Sequence, residues 1–156
     1  LCLEGVEEHT LSGRDVLDLG CGSGILSIAA LCLGAKSAVA VDIDPKAVDV
    51  AYENAGLNGI GQDRYTVRAG NVLADPALAA ELAQKKYHLV LANIVADVII
   101  PLAPQVPGLL EEDGLFLCSG IIEARAHEVE AALKKAGLTV TGRREKNGWT
   151  ALEAKL

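Results

Sequence analysis

The sequence predicts an α/β protein with a mostly parallel, seven-stranded sheet, helices on both faces and a C-terminal antiparallel hairpin. Three observations lead there. Short apolar runs alternate with stretches of helical period along the chain, the pattern of successive strand and crossover units. Hydrophobic residues make up 51% of the 156 and mean hydropathy is positive, which calls for strands buried on both faces. Two strand-like runs at the end are separated by Asn147-Gly148, the dipeptide suited to a type I′ hairpin turn. A chain of this length fits a single domain, residues 1–156, with a sizeable core.

Asp15–Leu19 reads as the first strand, 24–33 as a helix of small apolar residues, and Ser37–Asp42 as the second strand. Asp44 is a good N-cap and Pro45 suits a first helical turn; Ala47, Val48, Ala51, Tyr52 and Ala55 then repeat at helical spacing until Gly59. Tyr65–Ala69 gives a third strand, 76–86 a helix, and 87–92 a fourth strand with the continuous apolar run Leu89-Val90-Leu91-Ala92. Residues 95–110 are apolar and partly helical, bent or broken at Pro101, Pro104 and Pro107. Residues 114–119 form the fifth strand, and 123–136 a helix that Gly137 terminates. Thr139–Lys146 and Trp149–Lys155 close the sheet as the hairpin. No element is assigned before Asp15.

The most informative stretch is Val16-Leu17-Asp18-Leu19-Gly20-Cys21-Gly22-Ser23-Gly24, an apolar strand running into a glycine turn. Asp18 closes the strand, and Gly20, Gly22 and Gly24 let backbone N–H groups approach a ligand at a helix N-terminus. Asp42, at the next strand end, is placed to hold a ribose. A dinucleotide fingerprint needs its third glycine at the position of Ile25, so the spacing is wrong for NAD. Asp18 to Gly24 resembles instead the first motif of class I S-adenosylmethionine-dependent methyltransferases, whose loop passes the methionine part of the cofactor. That resemblance implies the Rossmann-like class I methyltransferase fold, which the closing hairpin suits, and S-adenosyl-L-methionine as cofactor. Cys21 invites comparison with a nucleophile, yet a small residue that packs in the turn accounts for it.

Open α/β sheets bind ligands beyond the carboxyl ends of their strands. There the loops at 20–24, 42–44, 71–72 and 93–96 converge. Asp42 is the ribose ligand of this reading, because Asp44 is the better cap for the following helix. Ile43 covers one face of an adenine, and Val72 lies in the loop after the third strand. Asn71 is a candidate for the adenine amino edge, with turn chemistry in Gly70-Asn71 the competing account. Asn93, following a buried strand, is the catalytic candidate and also a cofactor contact, against the alternative of capping the next helix. Its amide oxygen can hold an amine N–H so that the nitrogen lone pair faces the sulfonium methyl, which is catalysis by orientation.

Cys2, Cys21, Cys32 and Cys118 form no C-x-x-C pair and the three histidines are scattered, so neither a zinc site nor a disulfide framework is expected. Net charge is −7 and no stretch gathers Lys and Arg, which disfavours a phosphate-backbone partner. No apolar stretch reaches the roughly 18 residues of a membrane span and no basic-then-apolar leader opens the chain, so a cytoplasmic protein without a membrane partner is expected. The sequence has no Met, even at position 1, and is expected to be an internal part of a longer protein.

Leu1-Cys2-Leu3-Glu4, Asp18 to Ala30, Val41 to Pro45, Ala92-Asn93-Ile94 with Ala96, Ser119-Gly120-Ile121 and Trp149 together resemble the catalytic domain of PrmA-type ribosomal protein methyltransferases. The resemblance covers nearly the whole chain. It implies methylation of lysine and N-terminal amines on a large-subunit ribosomal protein, with cofactor contacts at Gly20, Asp42 and Asn93. Two features of that family lie outside this sequence: a glycine- and threonine-rich cofactor segment just upstream, and an N-terminal domain that recognises the ribosomal protein. Other readings are methylation of another protein, an RNA or a small molecule, and a non-catalytic cofactor-binding module. Asn93-Ile94-Val95 lacks the prolines and aromatic of the pattern used on planar nitrogens, which counts against a base acceptor.

Overall fold

The structure, a computed structural model, describes residues 1–10 and 12–156. Its elements run α1 (Cys2–His9), β1 (Asp15–Leu19), α2 (Ile25–Cys32), β2 (Ser37–Asp42), α3 (Pro45–Leu57), β3 (Tyr65–Ala69), α4 (Pro76–Leu82), β4 (Tyr87–Asn93), α5 (Ala96–Leu102), β5 (Leu110–Ile122), α6 (Ala126–Lys135), β6 (Thr139–Lys146) and β7 (Trp149–Lys155). The seven strands form one sheet in the order β3-β2-β1-β4-β5-β7-β6. Pairings among β1 to β5 are parallel, whereas β7 is antiparallel to both β5 and β6. Order reverses between β1 and β4, and that is where an open α/β sheet leaves a crevice.

The apolar strands are buried on both faces, and their period of two divides the core. Leu89 and Leu91 pack with Val16, Leu115 and Leu117 against α1, α2 and α3. Val90 and Ala92 pack with Leu17, Leu19 and Phe116 against α4, α5 and α6. Asn147 and Gly148 have φ of 53° and 82°, as a type I′ turn requires.

The structure differs from the sequence reading at several elements. Helix α1 escapes prediction because Gly5 sits in its interior, where glycine is a poor helix former. Contact with the sheet requires that glycine, since a Cβ there would lie 2.5 Å from Leu117 Cδ2. Helix α2 starts one residue later than expected because Gly24, at φ 83°, is its N-cap. Helix α4 stops at Leu82, freeing Lys86 to donate to the Gly108 carbonyl at 2.9 Å and Lys85 to lie 5.3 Å over the Tyr87 ring. The stretch from 123 begins with a 3-10 turn, Glu123–Arg125, before α6. Strand β5 is longer at both ends than expected and shifts register against β4 and β7. The proline-rich stretch is α5, containing Pro101, followed by a 3-10 segment, Ala103–Leu109. No helix among the described residues is long and apolar enough to cross a membrane.

Candidate functional site

The β1–α2 loop is built by left-handed backbone. Gly20 and Gly24 have φ of 74° and 83°, and both are crowded: a Cβ on Gly20 would lie 2.4 Å from Ile94 Cγ2, and one on Gly24 would lie 2.6 Å from the Tyr65 hydroxyl. That hydroxyl shares a 2.8 Å hydrogen bond with buried Ser27, so it cannot simply swing away. Gly24→Ala is therefore expected to destabilise the chain by about 2 kcal/mol, read as a lower denaturant midpoint at unchanged slope. An unchanged midpoint would show that the loop relaxes freely. By contrast, no neighbour among the described residues comes within 4 Å of a Cβ built on Gly22.

Asp42 joins this loop to the end of β2. Its Oδ2 accepts from the Gly22 N–H at 2.8 Å and its Oδ1 accepts from the Asp44 N–H at 2.9 Å. Each carboxylate oxygen keeps further acceptor capacity, so the group can organise two loops and still take a ribose hydroxyl. Asp44 caps α3, accepting from the Lys46 N–H at 2.9 Å, which leaves Asp42 out of that role.

Beside Asp42 opens a cavity of about 220 Å³ lined by Gly20, Asp42, Ile43, Asn71, Val72 and Ile94, among others. Ile43 is 66% exposed, a large apolar side chain left bare at a polar strand end. Asn71 serves the turn, its Oδ1 accepting from the Leu73 N–H at 3.0 Å. Its amide N–H groups make no hydrogen bond among the described residues, so turn and ligand roles are compatible at this residue.

Asn93 ends β4 and lines a second cavity, of about 420 Å³, with Ser119, Gly120 and Trp149. It does not cap α5: the N-cap is Val95, which makes no side-chain cap. Gly120 presses on Asn93 from β5, since a Cβ there would lie 2.9 Å from the Ile94 carbonyl oxygen and 3.2 Å from Asn93 Oδ1. The Ile94 N–H donates to the Ser119 carbonyl at 3.1 Å. Five of the expected cofactor residues, Gly20, Asp42, Ile43, Asn71 and Val72, thus share the first cavity, while Asn93 faces the second.

Asp18, Cys21, Gly22 and Gly24 line neither cavity. Asp18 is 1% exposed and its Oδ1 has no hydrogen-bond partner among the described residues. Burial pushes its carboxyl up to about 6, against the pull of hydrogen bonding by Ser27. Burial likewise pushes the Cys21 thiol up to about 12, so it remains neutral near pH 7 and is a packing residue rather than a nucleophile. The four cysteines are free. Sequence reasoning passed over Ile94 and Gly120 as site residues; the signal was the Ser119-Gly120 step within β5, whose meaning depends on the register shift there.

The chain resembles known proteins throughout. A family profile described as ribosomal protein L11 methyltransferase (PrmA) matches residues 1–156. A ribosomal protein L11 methyltransferase of Pseudomonas aeruginosa is 43% identical over 155 residues, 99% of this chain and 49% of that protein. One from Desulfitobacterium hafniense is 45% identical over 155 residues, covering 99% of this chain and 47% of its own length. The crystal structure of a ribosomal protein L11 methylase from Lactobacillus delbrueckii subsp. bulgaricus superposes with a TM-score of 0.87 at 34% identity, over 99% of this chain and 75% of that one. The chain spans about half the length of the curated relatives it matches.

Proposed function

The chain belongs to the ribosomal protein L11 methyltransferase (PrmA) family, and on that premise we propose that it is the catalytic part of an S-adenosylmethionine-dependent enzyme that methylates amines of a ribosomal protein. The observation that carries the reading is the glycine loop joined to Asp42 at 2.8 Å beside an apolar cavity, with Asn93 on the neighbouring strand. Those residues fit S-adenosylmethionine: a carboxylate for the ribose, Ile43 and Val72 as apolar cover for adenine, and a glycine turn for the methionine end. When bound, S-adenosylmethionine supplies a methyl group on a sulfonium sulfur.

Asn93 Oδ1 would accept from the acceptor amine and fix its approach, its lone pair facing the methyl that the bound cofactor would supply. The N–C bond would form as the S–C bond breaks, its electron pair staying on sulfur. A lysine amine has an ordinary pKa of about 10.4, so it sheds a proton to solvent before attack, and the apolar surround favours the neutral form. Trp149 and Gly120 bound the cavity from which the amine reaches Asn93. The acceptor is ribosomal protein L11 and the setting is the cytoplasm, with selection of the acceptor by a domain like the remainder of the longer relatives.

Two measurements test this. Calorimetry is expected to give one-to-one binding of S-adenosylhomocysteine and none of NAD. Incubation of a full-length protein carrying this chain with S-adenosylmethionine and unmethylated L11 is expected to add 14-Da increments, about the mass of a methyl in place of hydrogen, by mass spectrometry. Binding without any increment leaves a cofactor-binding module and overturns the enzyme reading; absence of binding overturns both.

A further inference from the structure

At the opposite end of the sheet from the glycine loop, β4 and β5 change register. Tyr87 pairs with Leu110 and Leu89 with Leu115, so residues 111–114 bulge out opposite His88. The bend is tight: a Cβ on Gly114 would lie 2.9 Å from the carbonyl oxygens of both Glu111 and Tyr87. It brings Glu111 Oε2 and Asp113 Oδ1 each to 4.0 Å from His88 Nδ1. His88 is 8% exposed, and that Nδ1 has no hydrogen-bond partner among the described residues. Distances of 4.0 Å are too long for hydrogen bonds, and a buried ring nitrogen with no partner is costly to keep.

We propose that His88, Glu111 and Asp113 bind a divalent transition ion of the zinc class. Their three ligand atoms lie within 4.8 Å of one another and supply one imidazole nitrogen and two carboxylate oxygens, a donor set such ions accept. Ligand atoms about 2.1 Å from one ion at tetrahedral angles are roughly 3.4 Å apart, so each His88 gap of 4.0 Å has to close by about 0.6 Å and the carboxylate pair, within 4.8 Å, by at most about 1.4 Å. Arg14 holds both carboxylates, on Glu111 through the same oxygen that faces His88. Its guanidinium donates to Glu111 Oε2 at 2.9 Å and to Asp113 Oδ2 at 3.0 Å, leaving Asp113 Oδ1 turned toward His88. One guanidinium stands there against two carboxylates. Asp113 is exposed, which gives the ion a path in and water a coordination position.

A second trio, Glu8, His9 and Glu153, has similar composition and lacks this feature. There His9 Nε2 is already hydrogen bonded to Glu153 at 3.0 Å, whereas His88 Nδ1 has no partner among the described residues. No ligand spacing announces the His88 trio in the sequence, because its members come from two strands and a bulge. The bound ion would staple β5 to β4 far from the methyl-transfer cavities, so the proposal does not depend on the methyltransferase reading.

The test is thermal unfolding of the 156-residue chain at pH 7.5 with and without zinc, in a Cys32→Ser background that removes the one exposed thiol. Zinc in large excess over its dissociation constant is expected to raise the midpoint by at least about 4 °C, with calorimetric stoichiometry of one. Cobalt in its place is expected to give visible absorption bands. His88→Gln and, separately, Glu111→Gln are each expected to lose the thermal shift, while His9→Gln keeps it. No shift in the parent, or a shift that survives both cluster variants, overturns the proposal. So does a shift lost in His9→Gln, or stabilisation that appears only on acidification without metal, since the trio then holds a proton.

Discussion

Asn93→Ala is expected to slow methyl transfer at least ~100-fold while weakening S-adenosylhomocysteine binding by less than about tenfold. The asymmetry follows from where the side chain stands. Asn93 lines the cavity shared with Trp149 and Gly120, whereas the cavity beside Asp42 is walled by other residues. On the proposed mechanism, removing its oxygen takes away the group that aims the amine and leaves Asp42, Ile43 and Val72 in place. Gly120 holds Asn93 closely enough that a Cβ there would come within 3.2 Å of Oδ1, so orientation is built into the backbone of β5. Single-turnover transfer and calorimetry on the same preparation separate the two effects. Unchanged turnover removes Asn93 from the mechanism, and an equal loss in both makes it a binding residue alone.

Much of this site could be read from the chain because its parts are local. Asp18 to Gly24 is one continuous turn, Asp42 stands at a strand end, and Asp44-Pro45 identifies the cap that leaves Asp42 free. The central strands were legible as well, since runs such as Leu89 to Ala92 are buried on both faces and read as continuous apolar segments. What escaped depends on contacts distant in sequence. The interior Gly5 of α1 makes sense only against Leu117, and Gly120 only against Asn93 and Ile94. The bulge at 111–114 is likewise a product of pairing between two strands, and no local pattern encodes it. Asn71 shows the intermediate case: turn chemistry and ligand chemistry use different atoms of one amide, so the sequence could not rank them.

Asp18→Asn is expected to stabilise the protein by about 3 kcal/mol above pH 7 and by almost nothing near pH 3.5. The carboxyl is pushed up to about 6 in the folded chain from an ordinary 3.8, chiefly by burial. Because the folded state holds the proton more tightly, Asp18 contributes stability that is fully present below about 3.8 and lost as pH rises through about 6. An amide has no proton to lose over this range, so the variant escapes that loss, and the difference between the two proteins grows through the same window. Groups that do not interact with Asp18 contribute equally to both proteins and cancel in the difference. Denaturant titrations at pH 3.5, 5, 6 and 8 measure it directly, and a difference that stays constant with pH would falsify the raised pKa. Above pH 6 the native side chain is thus a buried charge carried at a loss, under a loop whose glycines are themselves crowded. Strain of that kind persists where function uses it. The stabilised variant is accordingly expected to bind S-adenosylhomocysteine more weakly than the parent at pH 8, and equal affinity would mark Asp18 as a residue of the fold alone.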